Sequence, residues 1–227
     1  MPRPTRERPR RHRRASDDRC PKGLFVCFEG LDGSGKSTQA RLLQEALGAP
    51  ALSLREPSKG PFGTAIRATA RTGRLSPLRE HGLFLKDREW DCHHNILPAL
   101  KAGITVVMDR YIISNIAYQG ALGVPLHSIL EDNLDFPWPD LTILLELDVP
   151  KALARIRDSR GECGLFEREG FLRKVSAILN ILELPNVVRL DASLGEKTIL
   201  KKVLKIVKDL TDANGILAEH RPRMRQG

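Results

Sequence analysis

Apolar residues follow two alternating patterns along the chain, short continuous runs and positions repeated at helical spacing. The runs LFVCFE at 24–29, ITVVM at 104–108 and LTILLEL at 141–147 predict buried strands, and weaker runs predict two more at 51–54 and 187–190. Helical spacing predicts helices over 37–47, 62–72, 78–101, 111–120, 150–158, 167–183 and 196–213. Five apolar strands separated by helices predict an α/β fold with three layers, a five-stranded parallel sheet flanked by helices.

Positive charge is concentrated at the two ends of the 227-residue chain. Residues 1–22 hold eight Arg and one Lys against three acidic residues, and residues 219–227 hold three Arg against one Glu. We therefore predict a domain over 23–214, a basic disordered tail over 1–22 and a basic C-terminal tail over 215–227. Nucleic-acid binding by the first tail is the less favoured alternative, because the tail has no aromatic or apolar anchor.

Cysteine usage and hydropathy favour a cytoplasmic protein. The four cysteines show neither a CxxC pair nor metal-ligand spacing, so a disulfide framework or zinc ribbon is not expected. No apolar run approaches the roughly 18 residues of a membrane span, and the first residues lack the apolar core of a secretory signal.

The strongest motif lies directly after the first predicted strand. Residues 30–37 read GLDGSGKS and match GxxxxGK[ST] in the required context, between a strand and a helix. Glycines allow consecutive backbone N–H groups to surround phosphate oxygens, and the following helix adds its positive N-terminal end. The predicted ATP phosphate-binding residues are Gly30, Leu31, Asp32, Gly33, Ser34, Gly35, Lys36, Ser37 and Thr38.

Two oxygen ligands for Mg²⁺ are expected beside this motif. The hydroxyl of Ser37 belongs to the motif itself, and Asp109 follows the central strand at 104–108. Asp109 also fits a second interpretation, as a cap of the next helix, and the two roles can coexist.

Several ordered segments between about 24 and 210 resemble the thymidylate kinase family of P-loop nucleoside monophosphate kinases. FEGLDGSGKST at 28–38 resembles its P-loop, LFLKDR at 83–88 its base-binding segment, and MDRYIISNIAYQG at 108–120 its most specific internal motif. LREP at 54–57 and DLTILLELDVPKALARI at 140–156 resemble two further segments. The resemblance implies a P-loop NTPase fold with a short mobile lid at about 155–168, ATP as phosphoryl donor with Mg²⁺, and dTMP as acceptor.

The resemblance also implies individual roles. Phe84 would stack on the thymine ring, Arg88 would donate to its O4, and Tyr118 would crowd the 2′ position of the sugar. Lys36, Asp32 and Arg110 would be catalytic, together with the lid arginines Arg157 and Arg160, with Arg155 and Arg168 in reserve. Substrate-binding residues would be Arg55, Phe84, Arg88, Arg110, Asn115, Tyr118 and Gln119.

Two segments depart from the family pattern. The lid stretch has Gly164-Leu165 where an Asp-Arg pair is usual, and residues 58–64 read SKGPFGT where the family has a glycine pair and Thr. The resemblance as a whole implies transfer of the γ-phosphate of ATP to dTMP by a homodimer. A related kinase with another nucleoside monophosphate acceptor is the nearest alternative, and a non-catalytic ATP-binding switch is a more distant one.

Overall fold

Each of the five apolar runs forms a strand, and every strand pairs in parallel with its neighbours. The computed structural model describes residues 23–49, 51–73, 75–160 and 168–214. The strands are β1 (Phe25–Gly30), β2 (Ala51–Arg55), β3 (Thr105–Asp109), β4 (Leu141–Glu146) and β5 (Val187–Asp191). Their order in the sheet is β2-β3-β1-β4-β5. The predicted α/β class and five-stranded parallel sheet are confirmed.

Helices cover both faces of the sheet. They are α1 (Lys36–Leu47), α2 (Pro61–Thr72), α3 (Pro77–Asp91), α4 (Leu97–Lys101), α5 (Ile112–Ala121), α6 (Leu126–Asp132), α7 (Val149–Arg160), α8 (Glu169–Ile181) and α9 (Glu196–Asn214). None of the helices within the described ranges has the length and apolarity to cross a membrane. Residues 161–167, which form half of the predicted lid, and both predicted tails lie outside the described residues.

Side chains of β1 and β3 alternate between two hydrophobic clusters, one on each face of the sheet. In β1, Val26 and Phe28 point to the cluster that includes residues of α1, α7, α8 and α9. Phe25 and Cys27 point to the opposite cluster, which includes residues of α4, α5 and α6. Burial on both faces explains why β1, β3 and β4 are continuous apolar runs rather than alternating ones.

The helix predicted over 78–101 is interrupted. A π-helical turn over Cys92–Ile96 separates α3 from α4, and the N–H of Leu97 bonds to the carbonyl of Cys92. Pro98 lacks an N–H and cannot donate to residue 94, so the wider turn before it accommodates the missing bond. Helix α6 was not predicted, because its seven residues give too short an apolar pattern.

The order of the strands indicates where in the sheet a ligand site is expected. The chain leaves β1 towards β2 and leaves β3 towards β4, so the neighbouring strands β1 and β3 send their connections in opposite directions. Ligands of open α/β sheets bind in the crevice at such a point, beyond the carboxyl ends of the strands. The glycine-rich segment after β1 and the Asp109-Arg110 pair at the end of β3 meet there.

Candidate active site

The loop between β1 and α1 is shaped by its glycines. Gly30 and Gly33 have φ values of 139° and 79°, in the region that favours glycine. A Cβ on Gly30 would lie 2.4 Å from the carbonyl oxygen of Leu145, and one on Gly33 would lie 2.6 Å from that of Ala152. These close approaches hold the loop against β4 and α7, which is why this loop has glycine at both positions.

Lys36 is the first residue of α1, and its side chain folds back into the loop that precedes it. Its ammonium is buried and donates to the carbonyl oxygen of Leu31 at 2.6 Å. Burial, reinforced by the nearby charge of Arg110, lowers the pKa of Lys36 to about 8. A cation held in a desolvated loop interacts strongly with an anion that enters it.

A cavity of about 580 Å³ opens above this loop, and we call it the P-loop cavity. All of the predicted phosphate-binding residues line it except Gly30 and Leu31, which form the start of the loop. Further lining comes from Arg55 and Arg155, and from the segment between β5 and α9. The hydroxyl oxygen of Ser34 is buried and, among the described residues, has no hydrogen-bond partner. The cavity therefore offers polar groups suited to phosphate oxygens.

Ser37 lines this cavity and forms an oxygen pair with Asp109. The hydroxyl of Ser37 donates to Oδ2 of Asp109 at 2.5 Å, and Nε of Arg55 lies 3.6 Å from the same oxygen. The other oxygen, Oδ1, is buried and lacks a hydrogen-bond partner within the described residues. No group of three or more His, Cys, Asp or Glu that could hold a metal occurs in the described ranges. Mg²⁺ usually takes one or two protein oxygens and completes its shell with phosphate and water, so the pair fits it.

A second cavity, of about 210 Å³, lies between α3 and α5, and we call it the α3–α5 cavity. Its lining includes five of the predicted substrate-binding residues: Phe84, Arg110, Asn115, Tyr118 and Gln119. The lining also includes Arg67 and five residues to which the sequence analysis assigned no role: Glu56, Pro57, Ile66, Tyr111 and Ser114.

Arg110 and Asp32 line both cavities and mark their junction. Nη2 of Arg110 lies 2.5 Å from Oδ1 of Asp32 and donates to the hydroxyl of Tyr118 at 3.3 Å. Burial alone would raise the pKa of Asp32, but Arg110 and Lys36 outweigh it and hold that pKa well below its usual range. A charged guanidinium is thus held at the point where ligands in the two cavities would meet.

The position of Arg110 is fixed from behind by Glu29. Arg110 has a φ of 71°, which is unusual for a residue other than glycine. The buried carboxylate of Glu29 accepts the backbone N–H of Tyr111 at 2.8 Å and of Ser114 at 3.1 Å, and it also accepts the Ser114 hydroxyl. Ser114 Oγ in turn accepts Nη1 of Arg110 at 3.1 Å. Sequence reasoning gave Glu29 no role, and the only signal for it was an acidic residue at the end of the apolar run 24–29.

Arg88 lies behind the wall of the α3–α5 cavity rather than on its surface. Its side chain is fully buried and makes a two-point contact with Glu56, at 2.9 Å from Nε to Oε1 and 2.5 Å from Nη2 to Oε2. Nη1 donates to Oδ1 of Asn133 and, at 3.4 Å, to Oδ1 of Asn115. The structure therefore connects Arg88 to the cavity through Asn115 and Glu56, and the direct contact with a base stays a prediction.

Three of the predicted arginines differ in where they lie relative to the two cavities. Arg55 lines the P-loop cavity and not the α3–α5 cavity. Arg155, held in reserve by the sequence analysis, donates to the carbonyl oxygens of Ala192 at 2.9 Å and Gly33 at 3.4 Å. Arg157 is exposed, two residues further along α7, and lines neither cavity. The side chain of Arg160 lies outside the described part of the chain, so its role stays a prediction.

A parallel sheet of this order, with a glycine-rich phosphate loop after β1 and an acidic residue ending β3, defines a P-loop nucleotide-binding fold. The family model for thymidylate kinase matches residues 28–203. The chain belongs to the thymidylate kinase family.

Relatives and a solved structure give the same family. Thymidylate kinase from Xanthomonas euvesicatoria pv. vesicatoria is 42% identical over 191 residues, which cover 82% of this chain and 84% of the relative. Probable thymidylate kinase from Archaeoglobus fulgidus is 42% identical over 189 residues, covering 82% and 95%. The solved structure of Candida albicans thymidylate kinase superposes with a TM-score of 0.72 at 27% identity, covering 83% of this chain and 92% of the other.

Proposed function

We propose that this chain transfers the γ-phosphoryl group of ATP to dTMP, giving ADP and dTDP. The observation that carries the proposal is the junction of two cavities at Arg110 and Asp32. One cavity has the P-loop, and the other has an aromatic residue and amides suited to a base. Family membership supports this reaction over the non-catalytic switch.

The P-loop residues bind the donor in this mechanism. Backbone N–H groups of residues 33–37 and the ammonium of Lys36 hold its phosphates. Mg²⁺, held by Ser37 and Asp109, would neutralise charge on the donor phosphates. The reaction needs little covalent chemistry from the protein, since a phosphate oxygen of dTMP bonds to the γ-phosphorus as its bond to ADP breaks.

Arg110 brings the acceptor phosphate to the donor. Its guanidinium lies at the cavity junction, and exchange of its Asp32 partner for a phosphate would keep it neutralised. Asp32, deprotonated at neutral pH, is then free to accept a hydrogen bond from a sugar hydroxyl of the acceptor. Both roles rest on the position of the pair and on the resemblance in the segments at 28–38 and 108–120.

The α3–α5 cavity is assigned to the nucleoside of dTMP. Phe84 offers a ring face for stacking, and the amides of Asn115 and Gln119 offer hydrogen bonds to the base edge. The Asn115 side chain donates to Oε1 of Gln119 at 2.9 Å, and this bond fixes the orientation of both groups. Tyr118 is fixed as well, since its hydroxyl donates to Oδ2 of Asp32 at 3.0 Å.

We place the enzyme in the cytoplasm as a homodimer. Its domain comprises residues 23–214, and residues 1–22 and 215–227 are tails.

An exposed apolar surface supports the dimer. Two large apolar side chains, Leu78 at 69% and Leu134 at 62%, are exposed near the first turn of α3 and the end of α6. A hydrogen bond from His81 to Asp132 joins these two helices. Burial of this apolar surface by a second copy would stabilise a dimer. Light scattering of the wild type and of Leu78→Glu tests it, with loss of the dimer expected in the variant.

ADP release tests the reaction itself. Purified protein with ATP and Mg²⁺ is offered dTMP, dUMP, dCMP, dGMP and UMP in turn, with Lys36→Met as the inactive control. We expect turnover that depends on dTMP. Turnover with a different acceptor would move the specificity while preserving the reaction type. A folded protein that binds ATP and turns over none of the five would contradict the proposal.

A further inference from the structure

The segment between β2 and α2 forms one wall of the α3–α5 cavity. Glu56 and Pro57 of this segment line the cavity, and α2, which follows it, adds Ile66 and Arg67. This is also the segment that departs from the family pattern, at residues 58–64. Its position therefore determines the shape of the space assigned to the acceptor.

A carboxylate with no role in the mechanism lies against this segment. Asp87 of α3 is fully buried, and its Oδ2 accepts the backbone N–H of Ser58 at 2.7 Å. Its Oδ1 accepts the hydroxyl of Ser58 at 2.6 Å. Ser58 Oγ accepts the N–H of Gly60 at 2.9 Å, so the carboxylate organises the backbone of three residues. Hydrogen bonds to a carboxylate are stronger than hydrogen bonds between two neutral groups.

Two glycines allow this segment to pack closely against α3. A Cβ on Gly60 would lie 2.4 Å from Cε3 of Trp90, and one on Gly63 would lie 2.1 Å from the carbonyl oxygen of Ser58. Neither position has room for a side chain. The SKGPFG sequence is therefore suited to this close contact, in which Ser58 supplies the hydroxyl and the glycines allow the approach.

Consecutive residues of α3 hold both sides of Pro57. Arg88 contacts Glu56 at two points, and Asp87 contacts Ser58 at two points. Pro57 lies between them and lines the cavity. The backbone that carries Pro57 is thereby fixed to the same helix that supplies Phe84 to the cavity.

We propose that Asp87 is a positioning residue for the acceptor, which holds Ser58 and so keeps Pro57 and the start of α2 at the wall of the nucleoside cavity. The proposal rests on the proposed function, since it assigns the cavity to dTMP. It assigns Asp87 no contact with either substrate. Its effect is confined to the acceptor side, because none of residues 56–60, all of them described, lines the P-loop cavity.

The variant Asp87→Asn tests the proposal against Glu89→Gln, which removes the same charge from an exposed position of α3. An amide cannot accept both bonds from Ser58, so the segment loosens. We expect KM for dTMP to rise about tenfold in Asp87→Asn, with KM for ATP within about twofold of wild type. Glu89→Gln should leave both values unchanged. A parallel rise of both KM values, or no rise of either, would overturn the proposal.

Two further measurements keep the test decisive. Ser58→Ala retains the backbone bond to Asp87 and loses only the hydroxyl, so it should fold and raise KM for dTMP alone, by about threefold. Hydrogen exchange at the backbone amides of Ser58 and Gly60 should be faster in Asp87→Asn than in Glu89→Gln, and equal exchange would overturn the proposal. If wild type does not phosphorylate dTMP, the proposed function fails, and the exchange measurement alone decides whether Asp87 holds the segment.

Discussion

At the scale of single residues, buried polar groups organise the candidate site. Glu29 is fully buried, and burial raises its pKa although bonds from Ser114 and Tyr111 oppose the rise. Its bonds hold the start of α5 beside Arg110, which has a φ of 71°. The unusual backbone of Arg110 is thus stabilised by an interaction that spans 85 residues of the sequence between Glu29 and Ser114. Such long-range partners are not visible in local sequence patterns.

Ser114→Ala tests this arrangement. The change removes the oxygen that accepts Nη1 of Arg110 and donates to Glu29, so Arg110 loses one of its anchors. We expect kcat/KM for dTMP to fall about tenfold, the effect of one hydrogen bond to a charged group. Steady-state kinetics measures it, with Ser176→Ala in α8 as the matched control. Kinetics equal to the wild type would mean that Asp32 and Tyr118 suffice to hold Arg110.

The arginines of α7 give a second prediction. Arg155 connects the carbonyl groups of Gly33 and Ala192 on the wall of the P-loop cavity, whereas Arg157 is exposed. We expect Arg155→Met to raise KM for ATP about tenfold and Arg157→Met to leave that KM unchanged. Loss of kcat in Arg157→Met at unchanged KM would support the catalytic role that the resemblance implies for Arg157. The thermal unfolding of both variants serves as the control for folding.

At the scale of elements, periodicity predicted what depends on local sequence. The strands and most helices were found because burial on both faces of a sheet and on one face of a helix leaves a direct apolar pattern. Helix α6 and the π turn over Cys92–Ile96 were missed, the first because it is short and the second because it depends on how Pro98 is accommodated. The site residues were predicted from contiguous segments instead, Lys36 and Ser37 from the phosphate-loop motif and Arg110 from the family resemblance, and their roles stay predictions. Asn133, which contacts Arg88, lies in no such motif, and Glu56 lies in the LREP segment, from which no role for it was predicted.

Two glycines within helices should respond oppositely to an added methyl group, a difference that depends on their surroundings in the fold and not on the local sequence. Gly82 lies inside α3 with nothing within 4 Å of an added Cβ, so Gly82→Ala should raise the free energy of unfolding by about 1 kcal/mol through helix propensity. Gly63 lies in the first turn of α2 against the Ser58 carbonyl, and Gly63→Ala should lower the free energy of unfolding by about 1–3 kcal/mol through overpacking. Urea unfolding measures both. Changes of the same sign would contradict the close contact at Gly63.

At the scale of the whole molecule, the order of strands in the sheet determines which part of the site each strand supplies. Strand β1 supplies the P-loop, β3 supplies Asp109 and Arg110, and β2 leads into the segment held by α3. The P-loop cavity and the α3–α5 cavity, which we assign to donor and acceptor, therefore share one charged pair, Arg110 and Asp32. A change on the donor side should affect the donor and its metal while the acceptor cavity keeps its affinity.

Asp109→Asn tests that separation. The change removes the charge of the carboxylate that accepts the Ser37 hydroxyl, and with it one of the two ligands assigned to Mg²⁺. We expect the Mg²⁺ concentration for half-maximal turnover to rise about tenfold or more, because a carboxylate binds the ion more strongly than an amide does. Binding of dTMP without ATP, measured by calorimetry, should stay within about twofold of wild type. Asp135→Asn, at an exposed position after α6, controls for the loss of charge. An unchanged Mg²⁺ requirement would remove Asp109 from the metal site, and a large loss of dTMP affinity would show that the two cavities respond as one.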